Sequence, residues 1–339
     1  MYKHRFTKEI LEAIWENRQG GMTWIEISDK WEIPDTSIRQ ALKDAGIYIP
    51  RPKAPDGCKL KPVSLVASGK PSSPNKVYKN NLRILTLDIE NAPMMSYHWG
   101  LWKQNIGRPM RIEENRSYMM SIAMKWLGED EVHYFETRTE DDSELIEKVL
   151  DFLHEADLII GHNAKRFDMK KINAYAVLNG LKPPSPYRVI DTMLIAKKEF
   201  SFEQNTLEYL TGALCKEKKS GHGKFKGFAL WSECMKGNEE AWAEMKFYNK
   251  QDVISTEELY LVLRPWAKSH PNVTTGATDS ESMCPTCGSH KLKRKGYSTT
   301  NVSRFARFKC GNCGSWSRGR KSILHKENRA NLLVSIANG

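Results

Sequence analysis

No stretch of the chain approaches about 18 consecutive apolar residues, so none is long enough to cross a bilayer as a helix. The opening residues, MYKHRFTKEI, lack the apolar run of a secretory signal. The expectation is a soluble, cytoplasmic protein with no membrane partner. Seven cysteines in 339 residues do not read as a disulfide framework in that compartment. A glycine-bearing basic stretch, GHGKFKG at 221–227, can touch a backbone phosphate but lacks the P-loop pattern. Acidic residues are missing altogether from Cys284 to Lys326, where there are 11 basic ones.

What is present is a net charge of +11, unevenly spread. Residues 1–50 are near neutral, 51–80 carry seven Lys/Arg against one acid, and 81–283 carry 26 basic against 31 acidic residues. Two basic blocks around an acidic middle suit a polyanion handled by a metal-requiring centre. Five segments follow: a small all-α domain at 1–49, a basic Pro-rich linker at 50–80 containing Cys58, a main domain at 81–268, a cysteine-bearing ribbon at 280–326 and a tail at 327–339.

In the first segment, TKEILEAIWENRQ, WIEISDKW and TSIRQALKDAG have helical spacing, with Thr23 and Glu26 forming a capping box. The last two helices and their tight turn match a helix-turn-helix pattern. Ser37, Arg39, Gln40 and Lys43 are then the side chains expected to reach nucleic-acid bases. The alternative is a helical bundle that packs on protein.

In the main domain, LRILTLDIE reads as a central strand, SYMMSIAMKWLG and EVHYFETR as the next two, and DSELIEKVLDFLHEA as an amphipathic helix. DLIIG is a short buried strand, a helix covers roughly 165–178, RVID is a further strand, and helices fill the rest. This pattern predicts an α/β fold with an open mixed sheet and flanking helices. Asp88 and Glu90 lie two apart on the central strand and point the same way. Asp168 lies beside a helix start, and Tyr248 and Asp252 share a helix face at i, i+4 spacing. Carboxylates gathered in this way repel unless cations join them, and two Mg²⁺ or Mn²⁺ ions are a known solution for phosphodiester cleavage.

D-x-E at Asp88–Glu90, N-x-x-x-F-D at Asn163–Asp168 and Y-x-x-x-D at Tyr248–Asp252 occur in that order. They resemble the three motifs of the DEDD superfamily of 3′→5′ exonucleases in its tyrosine-bearing subgroup. The second motif is similar to that of family-B DNA polymerase proofreading domains and their stand-alone relatives. IDTM at 190–193 and NTLEYLTGAL at 205–214 match further landmarks. The resemblance implies an RNase H-like fold, metal binding by Asp88, Glu90, Asp168 and Asp252, and a water-orienting Tyr248. Asn163 and Phe167 are substrate-binding candidates, although Asn163 also suits a turn and Phe167 also suits packing beneath the site. His162 reads as structural, because the histidine of the related subgroup belongs to the third motif. Asp191 reads as a helix cap or supporting acid. The aromatics of YHWGLW at 97–102 can either stack on bases or join the core.

C-P-T-C at 284–287 and C-G-N-C at 310–313 have the spacing of a structural Zn²⁺ site, with Cys284, Cys287, Cys310 and Cys313 as ligands; Cys215 and Cys234 stand apart. Arg304, Arg307 and Lys309 lie among aromatics there, a pattern suited to nucleic-acid backbone contact and stacking. Docking onto protein is the alternative. The leading expectation is a metal-dependent 3′→5′ exonuclease acting on nucleic acid, with DNA favoured, and possessing no polymerase module of its own. A polymerase or a recombination or replication factor is a candidate partner, and the source looks bacterial or phage, which would make the location host cytoplasm. A transposase- or resolvase-type nuclease and a non-catalytic DNA-binding regulator are the alternatives.

Overall fold

From Leu85 to Glu90 the central strand β1 (Ile84–Asn91) alternates apolar and polar residues, and the alternation decides the architecture. Leu85, Leu87 and Ile89 face one way, into a core shared with α4 (Ser143–Glu155) and α5 (Asp168–Leu178). Thr86, Asp88 and Glu90 face the other way. β2 (Met119–Trp126) is buried along its whole length and pairs antiparallel with β1 and with β3 (Val132–Glu136). On its other edge β1 pairs in parallel with β4 (Leu158–Gly161), and β4 in turn with β5 (Arg188–Asp191). The five-stranded sheet therefore runs β3-β2-β1-β4-β5, the open mixed sheet that the sequence predicts.

The computed structural model describes residues 6–19, 22–33, 35–47, 82–100, 105, 117–219, 221, 223–277 and 281–334. The expected linker at 50–80, with Cys58, lies outside the described residues, as do Leu101 and Trp102 of the YHWGLW stretch. The chain divides into two compact units, Met1–Pro62 and Val63–Gly339. In the second unit, α6 (Thr192–Glu199), α7 (Leu207–Leu214), α8 (Ala229–Met235) and the 25-residue α9 (Glu239–Leu263) complete the main domain. Helix α9 lies on the Asp88 face, where Trp242, Met245 and Tyr248 join Met120 and Tyr118, and Tyr260 joins Ile160 and Ile190. Among the described residues no helix is long and apolar enough to cross a membrane.

Beyond a short 3₁₀ turn (Arg264–Trp266), the Val273 N–H donates to the Pro285 carbonyl at 2.8 Å and fastens the start of the cysteine segment. A three-stranded antiparallel sheet follows, with β7 (Ser303–Cys310) between β6 (Leu292–Thr300) and β8 (Trp316–Ser322). A short helix, α10 (Lys326–Ala330), comes after it.

The first unit holds α1 (Lys8–Gln19), α2 (Trp24–Trp31) and α3 (Asp35–Asp44) around Leu11, Ile14, Ile27, Ile38 and Leu42. The capping box forms as read: the Glu26 N–H donates to Thr23 Oγ1 at 3.2 Å and the Thr23 N–H to Glu26 Oε2 at 2.8 Å. Glu32, left-handed at φ 52°, ends α2.

Candidate active site

Because Asp88 and Glu90 are on the α9 face of β1, they meet whatever α9 presents there. One carboxylate oxygen from each of Asp88, Glu90 and Asp252 lies within 4.8 Å of the others. Tyr248, one helical turn before Asp252, is buried on the same stripe of α9. Asp168 arrives from the opposite face of the sheet as the first residue of α5, and its Oδ1 accepts the Ile89 N–H at 3.3 Å. It is buried beside the trio and is not part of the group within 4.8 Å.

The turn from β4 to α5 explains this placement. A Cβ on Gly161 would lie 2.5 Å from the Ala164 Cβ, so only glycine allows the chain to fold back this tightly. Asn163 then adopts φ 64°, a conformation that asparagine tolerates. The Asp191 carboxylate accepts the N–H groups of Asn163 (3.0 Å), Lys165 (3.1 Å) and Leu194 (3.2 Å), which ties the turn to the cap of α6. The helix read at roughly 165–178 consequently starts at Asp168, because residues 163–167 are committed to the turn. His162 has both ring nitrogens engaged, with Thr192 Oγ1 at 2.9 Å and the Asn205 carbonyl at 3.0 Å, as a structural histidine would. Phe167, beside Asp168, is 44% exposed at the rim rather than packed beneath. Tyr97 and Trp99 are exposed, the latter fully, so these two are not core residues.

Three supporting residues carry no motif signal. The Asn249 amide donates to both the Asp88 carbonyl (3.0 Å) and Asp88 Oδ2 (2.8 Å), and accepts from Ser121 Oγ at 3.2 Å. Trp231 Nε1 donates to Glu90 Oε2 at 3.0 Å. Lys219 Nζ donates to Asp252 Oδ2 at 2.5 Å and to the Tyr248 hydroxyl at 2.7 Å. Asn249 is findable in principle, as the neighbour of Tyr248 inside a buried helix. Trp231, on α8, and Lys219, on a loop, reach the site from far along the chain.

The electrostatics follow from crowding. Burial, and then the charges of Asp252, Glu90 and Asp168, push the Asp88 carboxyl well above its ordinary value. Burial and Asp252 push Glu90 up to about 8, against the relief given by Lys219 and Trp231. Burial pushes Asp168 up to about 7, although its backbone hydrogen bonds work the other way. Burial opposes the Lys219 ammonium, but Asp252 and Tyr248 outweigh it and hold the lysine above its ordinary value. Hard oxygen donors in mutual repulsion, with an ammonium already among them, are a donor set that fits a divalent cation.

The four cysteines form a second set. One Sγ from each of Cys284, Cys287, Cys310 and Cys313 lies within 4.8 Å of the others, with Cys284–Cys313 and Cys287–Cys310 both at 3.7 Å. A tetrahedron of thiolates about 2.3 Å from one ion has edges of about 3.8 Å, so this group can hold a metal ion. Cys215 and Cys234 stand apart from it. On the adjoining sheet, Arg304 lies over the Tyr297 ring at 3.8 Å, Arg318 over Phe305 at 4.1 Å, and Arg307 and Lys309 over Trp316 at 4.9 and 5.6 Å. Arg304, Arg307 and Lys309 are exposed.

In the first unit, Ser37, Gln40 and Lys43 are exposed on α3, and Gln40 donates to Asp44 at 2.7 Å. Arg39 differs from its expectation as a freely reaching side chain. It is half-buried with its guanidinium 4.9 Å from the Trp24 ring, which Arg18 also approaches at 5.3 Å. The cause is that Trp24 opens α2 where α3 crosses it, offering an aromatic face to a neighbouring cation.

No curated protein matches the chain. Among solved structures, the family B DNA polymerase from the hyperthermophilic archaeon Pyrobaculum calidifontis is similar at 16% identity and a TM-score of 0.38, over 55% of this chain and 25% of that one. The likeness thus spans a quarter of the polymerase's length. Residues 110–264, from ahead of β2 to the end of α9 and including Asp168, Tyr248 and Asp252, match the family model of the RNase H superfamily, and the domain built around them has an RNase H-like α/β fold.

Proposed function

We propose that the protein is a metal-dependent 3′→5′ exonuclease that hydrolyses phosphodiester bonds, with DNA as its substrate. The observation that carries this reading is the gathering of Asp88, Glu90 and Asp252 within 4.8 Å, with Asp168 and Tyr248 beside them. Asp88, Glu90, Asp168 and Asp252 are the residues to hold Mg²⁺ or Mn²⁺, in a two-ion arrangement. Such ions, when bound, activate a water and stabilise the leaving oxygen. Tyr248, its hydroxyl fixed by Lys219, is placed to orient that water. Asn249 and Trp231 hold the carboxylates of Asp88 and Glu90 in their rotamers. Phe167 at the rim offers a face for the terminal base, and Asn163 shapes the turn next to it.

The cysteine quartet is read as one structural Zn²⁺ site, and the basic sheet beside it, with Arg304, Arg307 and Lys309, as a nucleic-acid contact surface. The α3 face with Gln40 and Lys43 is read as a second contact in the helix-turn-helix manner, with Arg39 bracing Trp24 rather than reading bases. The test is digestion of end-labelled DNA and RNA, single- and double-stranded, with Mg²⁺ or Mn²⁺ and with 3′ ends free or blocked. Shortening from free 3′ ends of DNA supports the reading. Cleavage that ignores a 3′ block, or no metal-dependent cleavage at all, overturns it.

A further inference from the structure

Lys219 is one of four basic or acidic residues in the run KEKK at 216–219, yet it alone points into the carboxylate cluster, with its side chain only 24% exposed. Its position is built by the backbone around it. The buried Glu258 carboxylate accepts the N–H groups of Lys216 (3.1 Å) and Glu217 (2.7 Å). Gln251 Nε2 donates to the Lys218 carbonyl at 3.2 Å, and the Lys219 N–H donates to Thr211 Oγ1 at 3.1 Å. Further along, the Glu244 carboxylate accepts the N–H groups of Gly223 (2.8 Å) and Lys224 (3.0 Å). Glu244, Tyr248, Gln251, Asp252 and Glu258 all belong to α9, so the segment is stitched along the helix that carries the site. A lysine meeting a surface acid by chance needs no such fastening. Here the ammonium is delivered to Asp252 Oδ2 and Tyr248 OH as a fixed part of the centre.

We infer that Lys219 fills one of the two cation positions of the cluster, the one beside Asp252 and Tyr248. In the protein free of nucleic acid, the carboxylates then take up one divalent ion rather than two. This rests on the reading of the cluster as a metal-dependent hydrolytic centre. An ammonium bound to Asp252 Oδ2 repels any dication brought to the same side of that carboxylate, and a neutral side chain does not.

The experiment counts Mn²⁺ ions bound to the full-length, zinc-loaded protein by titration calorimetry and by electron paramagnetic resonance of free Mn²⁺. Buffers are freed of metal by resin, because a chelator would strip the zinc. Wild type is compared with Lys219→Met, Lys219→Arg and Asp252→Asn. The wild type and Lys219→Arg bind one ion tightly. In Lys219→Met a second ion binds with affinity raised roughly 30-fold or more, the effect of one unit charge on a dication about 4 Å away even in bulk water. Asp252→Asn, altered at the position the ammonium already fills, keeps the one tight ion, and its loss there overturns the inference. Two tight ions in the wild type, or one in both wild type and Lys219→Met, overturns the inference while leaving the metal centre standing. No Mn²⁺ bound by the wild type overturns the metal-centre reading and the inference together. Lys219→Arg, which keeps the charge, separates a change in ion count from a misfolded loop.

Discussion

Replacing Asp88 by Asn removes one negative charge and little else, because an amide oxygen can still accept the bond that Asn249 Nδ2 gives Asp88 Oδ2 at 2.8 Å. With carboxylate oxygens up to 4.8 Å apart, each ionised pair repels by about 3.5 kcal/mol at an effective dielectric constant of about 20. Asp88 takes part in two such pairs, with Glu90 and Asp252. The full sum is never reached, because the group escapes repulsion by holding its proton. At pH 7 that escape costs at most about 4 kcal/mol for a carboxyl whose ordinary value is 3.8. The weaker hydrogen bond from Asn249 takes back about 1 kcal/mol. The metal-free Asp88→Asn protein should therefore be more stable than wild type by about 1–3 kcal/mol, or roughly 2–12 °C in Tm.

The assay is thermal melting in resin-treated buffer, with and without Mn²⁺ or Mg²⁺. Wild type gains about 2.7 kcal/mol at a metal concentration of 100 Kd, and Asp88→Asn gains little. The pH dependence has a definite sign. Glu90 and Asp168 have raised values in the fold, about 8 and about 7, so each binds a proton more tightly folded than unfolded. Their contribution is complete below the ordinary carboxyl range and is lost as pH rises toward 7 and 8. Metal-free wild type should lose stability between pH 5 and 8, and Asp88→Asn should lose less. A metal-free Asp88→Asn protein that melts below wild type, or a wild type indifferent to divalent ions, refutes the reasoning.

Tyr248→Phe removes one hydroxyl and no metal ligand, so cleavage should slow by roughly 10- to 1000-fold while the metal-induced rise in Tm remains; undiminished cleavage would leave Tyr248 as packing alone. Asn249→Ala strips two hydrogen bonds from Asp88 and leaves buried polar groups unmet, so we expect about 1–3 kcal/mol lost in melting and a turnover reduced by about tenfold or more; an active, equally stable variant would make Asn249 incidental. Changing Arg304, Arg307 and Lys309 together to Ala should reduce the slope of log affinity against log salt by about one unit per lost phosphate contact, measured by fluorescence anisotropy on long DNA; an unchanged slope would assign that sheet to protein docking. Cys310→Ser should release zinc, read with a colorimetric chelator, and lower the affinity for long DNA in step; full zinc retention would contradict the four-thiolate site.

The order of strands and helices was legible in the chain because hydrophobic period reports local geometry directly. LRILTLDIE alternates as a strand with one buried face, and DSELIEKVLDFLHEA turns its apolar stripe to the sheet. The same periodicity put Asp88 with Glu90 and Tyr248 with Asp252. Cysteine spacing marked the quartet, since two C-x-x-C turns leave few other arrangements for four thiols. What the sequence could not show is which distant segments return to the site. Lys219 lies 33 residues from Asp252, Trp231 141 residues from Glu90, and Asn249 161 residues from Asp88. None of these pairs has a local pattern. Each depends on α9 crossing the Asp88 face of the sheet, Trp231 also on α8 and Lys219 on a loop fastened to α9. Arg39 gives the reverse case: helical spacing placed it on an accessible face, and the Trp24 ring of the neighbouring helix drew it down. Periodicity fixes which way a side chain sets out from its own element. Only the packing of elements decides what it meets.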